Sequence, residues 1–440
     1  MKSPRQSAFD ILLKIHKDSA YSNLVLDAEL DAQTLSAVDK AFVSALVYGT
    51  VERLITLDYQ IEQYLTQPLS KLKASVLVAL RMGAYQILFM DKVPDSAAVN
   101  ESVKLVKNNG CSFASGLVNA ILRKISSNGL VLPDKKGLYY YSIKYSCPKW
   151  LIKLWKDAYG EENAVKIAKS SLGGAETVIR VNTLKTTSDK LIADFASHNI
   201  NCHKADFDEN AVILEKAGSL KSLKAYDEGL FHVQDTASQF CCKALEAKEG
   251  DTVIDICSAP GGKAFTTAQY MQNNGKIIAC DVYESRLNLI KSGAERLNIS
   301  VIDTVLNDGS LHNSSFPKAD KILCDVPCAG LGVIRRKPEI RFKDPAEVDK
   351  LPEIQYSILK VSADYLKKGG VLVYSTCSLN PAENEDVITR FLSENSDFES
   401  VRVLPELPRY GEDTDWITLM PHIHNSDGFF VSAIRRRIDS

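Results

Sequence analysis

The sequence predicts an α/β Rossmann-like domain in its second half, preceded by an all-α bundle and a small α/β adaptor. Three observations carry this. Residues 252–264, TVIDICSAPGGKA, run from an apolar strand-like stretch (Val253, Ile254, Ile256) through Ser258, Pro260, Gly261 and Gly262 into a helical pattern continued by Phe265, Ala268 and Met271. Strand, glycine turn and helix form the nucleotide-binding corner of a doubly wound sheet. There glycine lets the backbone approach a ligand, and the helix start offers free N–H donors. From Asp235 to about residue 394 strand and helix patterns alternate, whereas residues 1–130 show helical periodicity alone.

In chain order, Ala8, Ile11, Leu12 and Ile15 share one helical face, and Phe42, Leu46 and Val47 repeat the spacing before Gly49. Leu54, Leu57, Ile61 and Leu65 make a helix that must end before Pro68. Residues 72–90 are the most apolar helix and the expected bundle centre. Pro94 opens another through Val99, Val103 and Val106, and 117–125 closes the set. No catalytic cluster occurs here, so 1–130 reads as a structural or docking domain. Residues 131–144 read as a linker and 145–234 as the adaptor. The adaptor has a helix over 148–171 and strands at 177–185, 212–214 and 229–233.

Residues 235–440 form the third domain. Strands are expected at 252–257, 276–280, 301–306, 321–324 and 371–374, and helices near 284–298, 350–368 and 383–394. Gly369-Gly370 stops the middle helix. Residues 416–420 and 428–434 look like a terminal hairpin. A parallel sheet with an antiparallel C-terminal edge is the class I methyltransferase architecture rather than a dehydrogenase one. Asp281 ends the second strand, about 20 residues past the glycines, where such folds place a ribose-binding carboxylate. It could equally cap the next helix. Asp308, after the third strand, can reach an adenine amino group or serve as a turn residue.

Composition is that of an ordinary globular chain, 25% charged and 45% hydrophobic, and the net charge of -2 announces no polyanionic partner. Local basic runs lie at Arg335-Arg336-Lys337, at Arg341 and Lys343, and at Arg435-Arg436-Arg437. None of the ten cysteines has paired C-x-x-C spacing, which argues against structural zinc. His422 and His424 lack a third ligand in sequence, so no metal is expected. With no signal peptide and no apolar run of spanning length, the chain reads as cytoplasmic, with reduced thiols.

Two of those thiols follow strands: Cys328 in Asp325-Val326-Pro327-Cys328 and Cys377 in Ser375-Thr376-Cys377-Ser378. Ligands of open α/β sheets sit outside the carboxyl ends of the strands, so both thiols and Asp325 face the crevice of the glycine loop. The chemistry that calls for two thiols is methylation at C5 of a pyrimidine. One adds to C6 as thiolate and makes C5 nucleophilic; the other assists proton removal or release. Asp325 can hold the N3/N4 edge of the ring. S-adenosylmethionine is the electrophile that fits a ribose-binding acid and a glycine loop.

The motifs SAPGGK, DVPC, STCS and the terminal PHIHNSDGFFV resemble the RNA cytosine-5 methyltransferase family. The N-terminal part is similar to the NusB-type RNA-binding bundle. The matching residues there are Arg5-Gln6-Ser7-Ala8, 46–50 (LVYGT), 79–88 (ALRMGAYQIL), Val93-Pro94, 100–103 (NESV) and 116–123 (GLVNAILR). Together they look like the Sun/Fmu type, which methylates a cytosine of 16S ribosomal RNA, and by resemblance cytosine 967. The resemblance implies Cys377 as nucleophile and Cys328 as the thiol assisting release, with Asp325 and Lys263 beside them. It implies cofactor contacts at Cys257, Ser258, Ala259, Pro260, Gly261, Gly262, Lys263, Asp281, Arg286, Asp308 and Asp325. Arg286 could be a plain surface charge and Lys263 a structural partner. Arg335 to Arg341 are expected to line the RNA path, and Arg180 and Asn182 could touch phosphates or cap local structure. The chain is expected to act as a monomer on 16S rRNA, free or in a partial particle. A transfer-RNA cytosine-C5 methyltransferase, or a non-catalytic RNA-binding assembly or antitermination factor, are the alternatives.

Overall fold

The computed structural model describes residues 2–18, 26, 29, 35–206, 208–215, 220, 223–411 and 413–439. Contacts divide the chain into two compact units, 1–174 with 334–343, and 175–333 with 344–440.

The first unit is helical: α1 (Pro4–Asp18), α2 (Ala37–Glu52), α3 (Leu54–Glu62), α4 (Ala74–Phe89), α5 (Asp95–Asn108), α6 (Ser115–Asn128), α7 (Leu138–Lys144) and α8 (Lys149–Ser170), the last interrupted at Gly160. The apolar helix α4 is central, as its composition requires, with Val78, Ala79, Leu80 and Met82 buried against residues of α1, α2, α5 and α6. Residues 131–144 contain α7, so this stretch is not bare linker.

Residues 334–343 belong to this helical unit, and Arg341 corrects the sequence reading. It is fully buried, not on an RNA path. Its guanidinium donates to the carbonyls of Glu52 (2.9 Å), Ser146 (2.7 Å), Ser171 (3.1 Å) and Pro338 (3.0 Å). These carbonyls lie at the ends of helices and loops, where backbone acceptors lack helical partners. One five-donor fork satisfies several at once.

In the second unit, strands β1 (Thr177–Val181), β2 (Cys202–Ala205), β3 (Asp208–Leu214) and β4 (Phe231–Val233) form an antiparallel sheet in the order β2-β3-β1-β4. Helix α9 (Ser188–Ser197) buries Leu191 and Phe195 with residues of that sheet. Arg180 and Asn182 take their structural roles here. Arg180 is buried and pairs with Asp208 at 2.9 Å, and Asn182 donates to the carbonyls of Gly229 and Leu297, each at 2.9 Å.

Apart from short single-turn helices, the remaining elements are α10 (Thr236–Leu245), β5 (Thr252–Asp255), α11 (Gly262–Tyr270), β6 (Lys276–Asp281), α12 (Glu284–Leu297), β7 (Ile302–Leu306), β8 (Ala319–Asp325), α13 (Leu351–Asp364), β9 (Leu366–Thr376), α14 (Glu385–Glu394), β10 (Phe398–Val401), β11 (Ile417–Leu419) and β12 (Phe429–Arg436). The sheet runs β10-β12-β9-β8-β5-β6-β7, with β11 beside β12. Strands β5 to β9 pair in parallel, and β12 is antiparallel to β9. Side chains alternate between two cores: Val253 and Leu323 pack with α10, α11 and α12, while Ile254, Ile322 and Cys324 pack with α13 and α14. The helix expected at 350–368 stops at Asp364, and Gly369, at φ +77°, lies inside β9 rather than capping the helix. Strand order reverses between β5 and β8, and the crevice outside that switch point is where such sheets take ligands.

Candidate active site

The glycine loop leaves β5 and is fixed at both ends. Ile256 N–H donates to Leu323 O of β8 (3.0 Å), and Ser258 N–H to Cys280 O of β6 (2.7 Å). Gly261 N–H closes a tight turn on Ser258 O (2.8 Å). Gly261 sits at φ +103°, and a Cβ there would stand 2.5 Å from the Phe265 ring, so any other residue would be strained and would displace that ring. Asp281, 4% exposed, accepts from Tyr283 N (3.1 Å) and pairs with Arg286 at 3.1 Å. Arg286 also reaches Ala259 O (3.5 Å), so this half-exposed guanidinium joins the strand-end acid to the loop. Among the described residues no hydrogen bond ties the Asp308 side chain to this group. It is exposed, and its carboxylate accepts from Ser310 N (2.9 Å) and Ser310 Oγ (2.7 Å), which lowers its pKa.

At the ends of β8 and β9 the predicted residues do meet. Lys263 Nζ donates to Asp325 Oδ2 (2.8 Å), and Ser375 Oγ donates to Asp325 Oδ1 (2.7 Å). Burial opposes the Lys263 charge, but the charge and hydrogen bond of Asp325, together with Cys241 and Cys242, outweigh it and raise the lysine above its ordinary value. Lys263 Nζ lies 5.2 Å from the centroid of the Phe429 ring, in the terminal hairpin. The Sγ atoms of Cys328 and Cys377 are 2.9 Å apart, and both thiols are free and part-exposed. The contact with Cys377, then burial, then the charges of Glu383 and Asp325 raise the Cys328 thiol well above its ordinary value. A thiol raised in this way holds its proton more firmly than a free cysteine does.

Backbone contacts fix the thiol loops. Gly332 N–H donates to Cys377 O (2.9 Å), and Gly428 N–H to Gly332 O (2.9 Å). A Cβ on Gly332 would collide with Gly428 O at 1.9 Å, so the SDG of the terminal motif crosses the Cys328 loop backbone to backbone.

Three further residues escaped the sequence reading. Asp255, at the end of β5, is fully buried, and neither carboxylate oxygen has a hydrogen-bond partner among the described residues. Burial drives its pKa up to about 7, against a smaller opposing effect of the Ser258 hydroxyl. Glu383 and Gln355 are buried beneath the two thiol loops. No local pattern marks any of these three; each is defined by partners distant in sequence or by having none. His424 has both ring nitrogens engaged by backbone, Nδ1 by Met420 N–H (2.8 Å) and Nε2 by Pro408 O (2.7 Å), which suits a structural neutral imidazole.

Comparisons with known proteins agree along the chain. A family profile described as 16S rRNA methyltransferase RsmB/F matches residues 242–435. The NusB family matches 2–127, and an RsmF/B-like ferredoxin-like domain matches 147–221. A probable ribosomal RNA small subunit methyltransferase B of Bacillus subtilis is 36% identical, covering 99% of each chain. Its Synechocystis counterpart is 33% identical over 99% of this chain and 100% of its own. The solved structure of a methyltransferase homolog protein from Pyrococcus horikoshii is 28% identical, with a TM-score of 0.60 over 69% of this chain and 99% of its own. The chain, from its NusB-like helices through the ferredoxin-like sheet to the two strand-end thiols, belongs to the 16S rRNA methyltransferase RsmB/F family.

Proposed function

We propose that this protein transfers a methyl group from S-adenosylmethionine to carbon 5 of a cytosine in 16S ribosomal RNA, by family resemblance cytosine 967, through a covalent bond between Cys377 and C6 of that base. The observation that carries the reading is the pair of strand-end thiols in contact at 2.9 Å beside the Lys263–Asp325–Ser375 cluster. C5 of cytosine is a poor nucleophile, and a thiolate added at C6 is the standard chemical means of activating it.

The crevice suits the cofactor's chemistry. A buried carboxylate without a partner is costly, and Asp255 is one, so a cationic ligand group completes it. Asp281 at the end of β6 suits a ribose diol, and the turn at Gly261 lets backbone come close. Residues 257–263, Asp281, Arg286, Asp308 and Asp325 would hold S-adenosylmethionine. Bound there, it supplies a methyl carbon made electrophilic by its sulfonium.

The protein's own groups perform the rest. Cys377 Sγ bonds to C6, and the C5=C6 pair becomes available at C5 to take the methyl. Loss of the C5 proton to a base re-forms C5=C6 and breaks the Sγ–C6 bond. Cys328 keeps its proton and touches Cys377 Sγ, so it is placed to protonate the departing sulfur. Asp325, held by Lys263 and Ser375, is fixed to bind the N3/N4 edge and offset charge on the ring. The base must leave its stack for a thiol to reach C6, which favours loop RNA. The NusB-like helices would help place the enzyme on that RNA. We read it as a monomer working in the cytoplasm, a setting that matches its ten free cysteines.

The test is transfer of labelled methyl to protein-free 16S RNA, to a partial small-subunit particle and to bulk transfer RNA, side by side. Label at a cytosine C5 of 16S RNA, free or in the particle, is expected. Label on transfer RNA alone would overturn the substrate, and label on none of the three would overturn the activity.

A further inference from the structure

Both thiol loops end on the same buried carboxylate. Glu383 lies in the single turn Pro381–Glu383 after β9 and is fully buried. Its Oε2 accepts from Ala329 N (2.7 Å), the residue after Cys328, and from Gln355 Nε2 (2.9 Å). Its Oε1 accepts from Ser378 Oγ (2.6 Å), the residue after Cys377, and from Asn380 Nδ2 (3.2 Å). Gln355 also donates to Pro327 O (2.9 Å), the residue before Cys328. The turn itself is pinned by Tyr374 OH on Glu383 O (2.6 Å).

Four donors fill the four lone-pair positions of one carboxylate. A glutamine could not replace it, because its amide NH2 would face two donors. The bond from Oε2 fixes the residue beside Cys328, and the bond from Oε1 fixes the residue beside Cys377. A rigid side chain of fixed length therefore spans the two loops. Its charge also lies close enough to Cys328 to help keep the proton there.

We propose that Glu383 is a positioning residue: it clamps the Cys328 and Cys377 loops in thiol contact and so gives the two cysteines different reactivities. This rests on the two-thiol reading above, but its test does not need RNA. The ratio of iodoacetamide labelling at Cys377 to that at Cys328 is measured peptide by peptide in the intact RNA-free protein. In the wild-type protein the ratio should be about tenfold or more, because the thiolate is the nucleophile. Glu383→Gln should bring it within about threefold of unity and lower kcat for methyl transfer about 100-fold. Affinity for S-adenosylhomocysteine should stay within about threefold, since the clamp touches no cofactor-loop residue. Glu383→Asp keeps the charge but shortens the span. It should recover part of the labelling ratio and little of kcat.

A merely structural role would lower melting temperature and leave the labelling ratio unchanged; that result overturns the proposal. If Glu383→Gln does not fold, Ser378→Ala removes one donor of the four and should still reduce the ratio about threefold. An unchanged ratio there overturns the proposal too. If the ratio responds while wild-type protein methylates no RNA, the clamp stands and the functional reading falls.

Discussion

Asp255 and Glu383 are both carboxylates with no solvent exposure, both on the ligand side of the same sheet, and their surroundings are opposite. Glu383 holds four donors, two per oxygen. Asp255 holds none among the described residues, and burial pushes its pKa up to about 7. A buried charge costs several kcal/mol unless it is partnered, so the two must serve different ends. The saturated carboxylate builds the site. The unsaturated one, in our proposal, receives a cationic group of the cofactor.

The largest expected effect comes from breaking the saturated side. Glu383→Ala leaves four donors without an acceptor and should cost about 3–5 kcal/mol in stability, read as a lowered urea midpoint. Arg341→Ala tests the same principle in the helical unit, where one guanidinium serves four carbonyls. It should cost about 3 kcal/mol, with no change in RNA affinity of the protein that remains folded. A loss of RNA affinity without a loss of stability would restore Arg341 to the RNA path.

Asp255→Asn should do the reverse. The folded-state pKa is raised from 3.8 to about 7. Between those values the folded protein binds more protons than the unfolded chain, so stability falls as pH rises through the window, and the full cost is present above about 7. The asparagine variant should therefore be more stable than wild type at pH 8, by about 1–3 kcal/mol, with a flatter stability profile between pH 4 and 7. It should also bind S-adenosylmethionine about 10-fold more weakly by calorimetry. Destabilisation with unchanged cofactor affinity would erase the contrast between the two carboxylates. Smallest of all is Asp308→Ala. The carboxylate is exposed and holds only its own turn, so its loss should change stability by less than about 0.5 kcal/mol.

The same contrast explains what could be read from sequence. The alternation of apolar residues, Val253 to one core and Ile254 to the other, announced the sheet, and the residues at its strand ends could then be placed. Cys328, Cys377, Asp325 and Lys263 were legible because each lies next to a strand or glycine turn. Glu383 was not: in the run PAENED it reads as a solvated helix start, and the partners that tie it to the Cys328 loop lie 28 and 54 residues away. Asp255 sits inside the most recognisable stretch of the chain, yet its lack of partners is a property of three-dimensional surroundings. Arg341 misled because a basic run is usually solvated, and nothing local shows that three of its four carbonyl acceptors lie at least 170 residues away. Short strands such as Cys202–Ala205 and Phe398–Val401 carry too few residues for periodicity to mark them.

The most direct test of the two-thiol account is adduct trapping on 16S RNA with S-adenosylmethionine present, resolved by denaturing electrophoresis. Cys328→Ala should accumulate a denaturant-resistant protein–RNA complex, because the added thiol is no longer released. Cys377→Ala should give no complex and no methyl transfer. A complex formed by Cys377→Ala and not by Cys328→Ala would contradict the assignment and exchange the roles of the two cysteines.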